Sequence, residues 1–141
     1  MSDVIDRFTK INVRVKSMSS ARALFEDVLG AELIHDRGAD TIGDFDGTTL
    51  RLGEVVFDLM APNKSDGALA KSIEKRGEGL DSICFNVKSL QAVREKLRDK
   101  GIDLVNYQEH RGTKVAFIHP RDASGIVIEL IEPASANPTT E

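Results

Sequence analysis

The chain repeats itself. The segment Ile11-Asn-Val-Arg-Val-Lys-Ser-Met18 realigns on Ile83-Cys-Phe-Asn-Val-Lys-Ser-Leu90, and Val55-Val-Phe-Asp-Leu-Met-Ala-Pro62 realigns on Ile126-Val-Ile-Glu-Leu-Ile-Glu-Pro133. The two matches agree to within a one-residue slip. A duplicated register of this kind means one supersecondary unit used twice, which excludes most other folds. Each copy opens with an alternating apolar strand that runs into Lys-Ser and a helix start, where Ser17 and Ser89 are suited to accept a first-turn N–H. Helical spacing follows over Ala21–Leu29 and Ala92–Lys100, and each helix stops at a glycine, Gly30 or Gly101. Each copy ends on an apolar strand closed by proline. Leu50–Leu52 and Val115–Ile118 are the clearest inner strands. Each half therefore reads β-α-β-β-β.

The expected architecture is α+β: two tandem βαβββ modules forming a curved mixed sheet around a cleft. One domain over 1–141 holds module 1 at about 8–62, a linker at 63–79 with a short helix near Ala68–Lys75, module 2 at about 80–133, and a tail at 134–141. The apolar share of 40% is that of a globular protein. A net charge of −4 argues against nucleic-acid and anionic-membrane partners, which require a basic face. The lone Cys84 cannot form an intrachain disulfide or a Cys-rich zinc site, Met1-Ser2-Asp3 has no signal-peptide pattern, and no apolar run is long enough to span a bilayer. The expected location is cytoplasmic.

Strand alternation sorts the side chains. Ile11, Val13 and Val15 face the helices, while Lys10, Asn12 and Arg14 take the opposite, concave face. In the second copy Ser82, Cys84 and Asn86 share that face. Asp58 and Glu129 occupy equivalent positions among apolar neighbours of the closing strands. A carboxylate there is costly to bury unless paired, hydrogen-bonded or bound to a cation. Paired carboxylates of this sort hold a metal, move protons or grip a cationic side chain; the plainer alternative is a solvated strand face.

These residues also carry a resemblance. Phe25-Glu-Asp-Val-Leu-Gly30, Leu69–Gly79, Ile83-Cys-Phe85 and His119–Leu130 resemble the vicinal oxygen chelate superfamily (glyoxalase I, extradiol dioxygenases, fosfomycin- and bleomycin-resistance proteins), and are most similar to its methylmalonyl-CoA epimerase branch. The resemblance implies a divalent metal, such as Co, Mn, Zn or Ni, held by a histidine from each first strand and a Glu or Gln from each last strand. Asp58 and Glu129 keep two of those positions, but Lys10 and Ser82 stand where histidines are expected. An ammonium is no ligand and a serine hydroxyl a poor one, so two of the four ligands are lost. The simpler arrangement puts the Lys10 ammonium in the metal's place, with Asp58 and Glu129 as counter-ions.

Three functional readings follow. The first is an isomerase or lyase acting beside a carbonyl, with Lys10, Asp58 and Glu129 catalytic and Asn12, Arg14, Ser82, Cys84 and Asn86 binding a small acid or acyl thioester. Arg14 suits a carboxylate, Asp44 and Asp46 are further acid–base candidates, and Lys71, Lys75 and Arg76 suit a CoA phosphate. Cys84 is read either as a reactive thiolate or as a buried free cysteine. The second reading is a metal-dependent epimerase that recruits Asp81, Asn12 or water. The third is a non-catalytic, drug-sequestering module, which the absence of Trp disfavours. His35, His110 and His119 are read as surface, loop and turn residues. The resemblance suggests a homodimer.

Overall fold

The computed structural model describes residues 4–39 and 44–134. Met1-Ser2-Asp3 and nearly all of the expected tail lie outside them. The chain divides into two compact units, one formed by residues 10–81 and the other by residues 82–134 with residues 4–9. The fold class is α+β, and the duplication is present in its strand order.

Strand β1 (Ile5–Arg14), which enters the first unit at Lys10, leads into α1 (Met18–Arg22), β2 (Glu32–Ala39), β3 (Phe45–Leu52), β4 (Val55–Pro62) and α2 (Ala68–Arg76). Strands β2, β3 and β4 pair antiparallel, and β1 runs parallel to β4. Strand β5 (Gly79–Val87), which enters the second unit at Ser82, is followed by α3 (Leu90–Arg98), β6 (Val105–His110), β7 (Thr113–Ile118) and β8 (Ile128–Glu132). Here β6, β7 and β8 pair antiparallel and β5 runs parallel to β8. Ile11 pairs with Phe57 and Asn12 with Asp58; Ile83 pairs with Ile128 and Cys84 with Glu129. The sequence register is therefore kept in space, and the sheets are mixed.

The helix signals hold in part. Ser17 Oγ accepts from Ser20 N and Ser89 Oγ from Ala92 N, while Gly30 and Gly101 take φ of 78° and 77°. The first helix differs from the expected continuous one: α1 ends at Arg22 and Ala23–Val28 widens into π geometry. The second module also departs from the repeat, since Ile102 to Leu104 stay outside β6 and β8 starts at Ile128 rather than Ile126.

Apolar residues on the helix-facing sides build two separate cores. Val15, Leu50, Leu59 and Ala61 pack with Val13, Phe25 and Phe57 in the first. Val87, Leu90, Val93, Ala116 and Leu130 form the second. Leu59 is fully buried, and Leu59→Ala is expected to cost about 3 kcal/mol in urea unfolding through lost transfer energy and the cavity left behind. A cost under about 1 kcal/mol would mean the site collapses around the smaller side chain.

Candidate functional site

On the sheet face opposite the first core, β1, β3 and β4 bring polar side chains together. Asp58 is buried, and both of its oxygens are taken. Oδ2 accepts from the Lys10 ammonium at 3.0 Å, and Oδ1 accepts from Arg37 Nη2 at 2.7 Å and Thr49 Oγ1 at 3.2 Å. Register explains two of the contacts: Thr49 lies directly opposite Asp58 across the β3–β4 ladder, and Asn12 lies opposite it across β1–β4. Of the expected Lys10 cluster with Asp58 and Glu129, the contact to Asp58 is present. A carboxylate buried between two cations is stabilised by charge-assisted hydrogen bonds that also fix its orientation.

Arg37 and Thr49 are the residues that sequence reasoning missed. Thr49 sits two places from Gly47 on one face of β3, and that spacing was available to be read. Arg37 could not be placed by alternation, because β2 is irregular between Leu33 and His35 and again between Asp36 and Gly38, where Arg37 itself lies.

The binding residues expected from sequence fare differently. Arg14 is buried, but its fork is committed to the chain rather than open to a carboxylate: Nε donates to the Gly77 carbonyl at 2.9 Å, and Nη1 to the Leu80 carbonyl at 2.9 Å and Asp81 at 3.0 Å. This corrects its proposed role, since the chain's own turn after α2 presents carbonyls to the same donors. Arg14→Met is expected to cost about 2 kcal/mol of stability with KM for substrate unchanged. A tenfold rise in KM at full stability would return Arg14 to the binding site. Asp81 also pairs with Arg76 at 3.0 Å, so it is occupied rather than available to a metal.

Asn12 and Ser82 are buried, and Cys84 is a fully buried free cysteine opposite Glu129 in the β5–β8 ladder. Full burial favours the structural reading of Cys84 over the reactive one. Asn86 Oδ1 accepts from Thr9 Oγ1 at 3.1 Å. Glu129 stands on β8 between Cys84 and Phe117. Asp46 accepts from Asn63 at 3.1 Å and Asp44 pairs with Lys64 at 3.5 Å, so both tie down the chain after β4. His119 Nδ1 accepts from Arg121 N in the His-Pro turn, as expected, while His110 ends β6 rather than lying in a loop.

The donors around Asp58 do not fit a divalent cation. Two positively charged groups already occupy both carboxylate oxygens, and the first-strand position carries an ammonium. Among the described residues no group of three or more His, Cys, Asp or Glu side chains is placed to hold a metal ion.

Two βαβββ modules in one chain, with an acidic residue at the same point of each closing strand, define a class. The Glyoxalase/Bleomycin resistance protein/Dioxygenase superfamily profile matches residues 9–117, and the chain belongs to that superfamily. Within it, the chain is 30% identical over 132 residues to the uncharacterized protein YqjC of Bacillus subtilis, covering 92% of this chain and 94% of that protein. It is 27% identical over 135 residues to the ethylmalonyl-CoA/methylmalonyl-CoA epimerase of Cereibacter sphaeroides, covering 90% and 98%. The crystal structure of methylmalonyl-CoA epimerase from Mycobacterium tuberculosis superimposes with a TM-score of 0.80 at 28% identity, covering 95% of this chain and 92% of that one.

Proposed function

We propose that the chain is an epimerase-type enzyme that exchanges a proton beside the carbonyl of a small carboxylated acyl thioester. In this reading the Lys10 ammonium supplies the positive charge that a divalent metal supplies elsewhere in the superfamily. The carrying observation is the Lys10–Asp58 contact at 3.0 Å, with the remaining oxygen of Asp58 closed by Arg37. Superfamily membership and the epimerase relatives support the reaction class.

Breaking the C–H bond next to a thioester sends its electron pair toward the carbonyl oxygen, where negative charge develops. An ammonium carries three N–H groups; one is directed to Asp58, and the others can be offered to that oxygen. Preorganised positive charge at such an oxygen is worth about 10²–10³ in rate. Asp58 does not act as the base, contrary to one expectation from sequence: taking up a proton would require it to release Lys10 or Arg37. Its role is that of a fixed counter-ion. The proton passes to a carboxylate and is returned from it, and Glu129, Asp44 and Asp46 are the proposed candidates for that carboxylate. Lys71 and Lys75, exposed on α2, are proposed to meet the substrate's phosphates.

The test is exchange at C2 of methylmalonyl-CoA in D₂O, followed by NMR. Enzyme-dependent loss of the C2 proton signal is expected. No exchange with methylmalonyl-CoA or any other 2-substituted malonyl thioester would overturn the reading. Because the cluster does not fit a divalent ion, millimolar Co²⁺ or Mn²⁺ is expected to leave Tm unchanged. A rise of several degrees would instead favour a metal-dependent enzyme.

We also propose a cytoplasmic homodimer. Exposed Leu24, Val28, Leu29, Leu33 and Ile34 support a self-association surface. Sedimentation of the intact chain as a monomer at micromolar concentration would remove it.

A further inference from the structure

Strand β2 carries an extra residue where it meets β3. Asp36 pairs with Thr48 and Gly38 with Gly47, so β2 advances two residues here while β3 advances one. Gly38 takes φ of 63°, and its N–H donates to Asp36 Oδ1 at 3.2 Å, which fixes the kink. Bulges of this kind re-aim a side chain. Here the bulge directs Arg37 across β3, over Gly47, to Asp58 on β4.

Gly47 is what lets it pass. A Cβ at Gly47 would collide with Nη2, Cζ and Nε of Arg37. The backbone at Gly47 is outside the left-handed region, so the glycine is not needed for its torsion angles. It is needed for the space. Phe45, two residues earlier on the same face of β3, has its ring centroid 6.0 Å from the Arg37 Cζ and borders the same slot.

We propose that Arg37 is a positioning residue that acts on Lys10 through Asp58, and that Gly47 is the feature of the fold that admits it. The carboxylate torsion of an aspartate is broad and nearly two-fold, so one anchor leaves the plane poorly defined. Arg37 and Thr49 together pin Oδ1 and thereby present Oδ2 to Lys10. Arg37 also draws on the same negative charge. With two cations sharing one carboxylate, the Lys10 ammonium keeps more of its field for an anion developing on substrate than it would in a one-to-one pair. This role rests on the reading of Lys10 given above.

The experiment compares Arg37→Met, Gly47→Ala, the double variant and Arg37→Lys with Lys10→Met as reference, all in the intact chain. Two quantities are read: kcat and KM for C2 exchange on methylmalonyl-CoA, and the ¹H–¹⁵N signal of the Lys10 Nζ, assigned by its loss in Lys10→Met. Arg37→Met and Gly47→Ala are each expected to lower kcat about 10–100-fold, a cost typical of a misplaced catalytic group. KM is expected to change less than about threefold, as for an interaction made in the transition state. The double variant is expected to be no worse than either single one, because both remove the same contact. Arg37→Lys is not expected to rescue, since the shorter lysine does not carry its charge as far across β3 as Arg37 Nη2. The Lys10 signal is expected to move equally in Arg37→Met and Gly47→Ala. Gly47→Ala is expected to melt close to wild type, because only the end of a flexible side chain must give way.

Wild-type kcat in Arg37→Met or Gly47→Ala beside an inactive Lys10→Met would overturn the proposal. So would additive losses in the double variant, or a Lys10 signal unmoved in both single variants. If Lys10→Met itself kept full activity, the functional reading would fall instead, and the Lys10 signal alone would decide whether Arg37 positions it.

Discussion

Lys10→Met is expected to slow C2 proton exchange on methylmalonyl-CoA by about 10²–10³ while leaving the fold intact. Methionine keeps the length and the apolar stem of lysine and removes only the charge and its donors. The protein can tolerate the loss because Asp58 retains Arg37 and Thr49. Lys10 is partly exposed, with 23% of its side chain accessible, so the stability cost is expected to be about 1 kcal/mol or less. A large kinetic loss with a small thermal one is the signature of a group that acts on substrate. Undiminished exchange would remove Lys10 from the mechanism.

Asp58→Asn is expected to show the opposite balance. The side chain of Asp58 is only 4% exposed, and it is the shared anion of Lys10 and Arg37. Asparagine has nearly the same shape but no charge, and its amide nitrogen would point donors at one of the two cations. Removing one partner of a buried ionic cluster leaves the rest uncompensated, at a cost of about 3 kcal/mol. For a chain of this size that corresponds to a fall in Tm on the order of 10 °C. Adding Arg37→Met to Asp58→Asn is expected to return part of the stability, since one of the stranded cations is gone. Unfolding of Asp58→Asn at wild-type temperature would mean that the charges around Asp58 are solvated rather than held.

The contrast between these variants explains what the sequence could and could not disclose. The repeat made the modules legible because register, strand alternation and proline-closed ends are all local signals, and Asn12–Asp58 and Cys84–Glu129 pair in the duplicated way the alignment demands. Parity placed Lys10 and Asp58 on their faces because both lie on regular strands, and the resemblance to a family with a metal at that position implied that the two meet. Arg37 was not legible, because a bulge breaks parity, and nothing in Asp36-Arg-Gly38 alone gives the register of the facing strand. Arg14 was placed on the right face but given the wrong partner. Its donors are met by carbonyls of Gly77 and Leu80, more than sixty positions away in sequence, and only the path of the chain after α2 brings them together. The first helix was expected as a single α-helix because apolar spacing does not distinguish α from π geometry over so few residues.

The most direct test of the central claim is the exchange rate of protein stripped of metal. Protein treated with a strong chelator, and shown by elemental analysis to hold no divalent ion, is expected to exchange the C2 proton of methylmalonyl-CoA as fast as untreated protein, with no gain on adding Co²⁺. Activity lost on chelation and restored by Co²⁺ would contradict the account and return the chemistry to a bound metal.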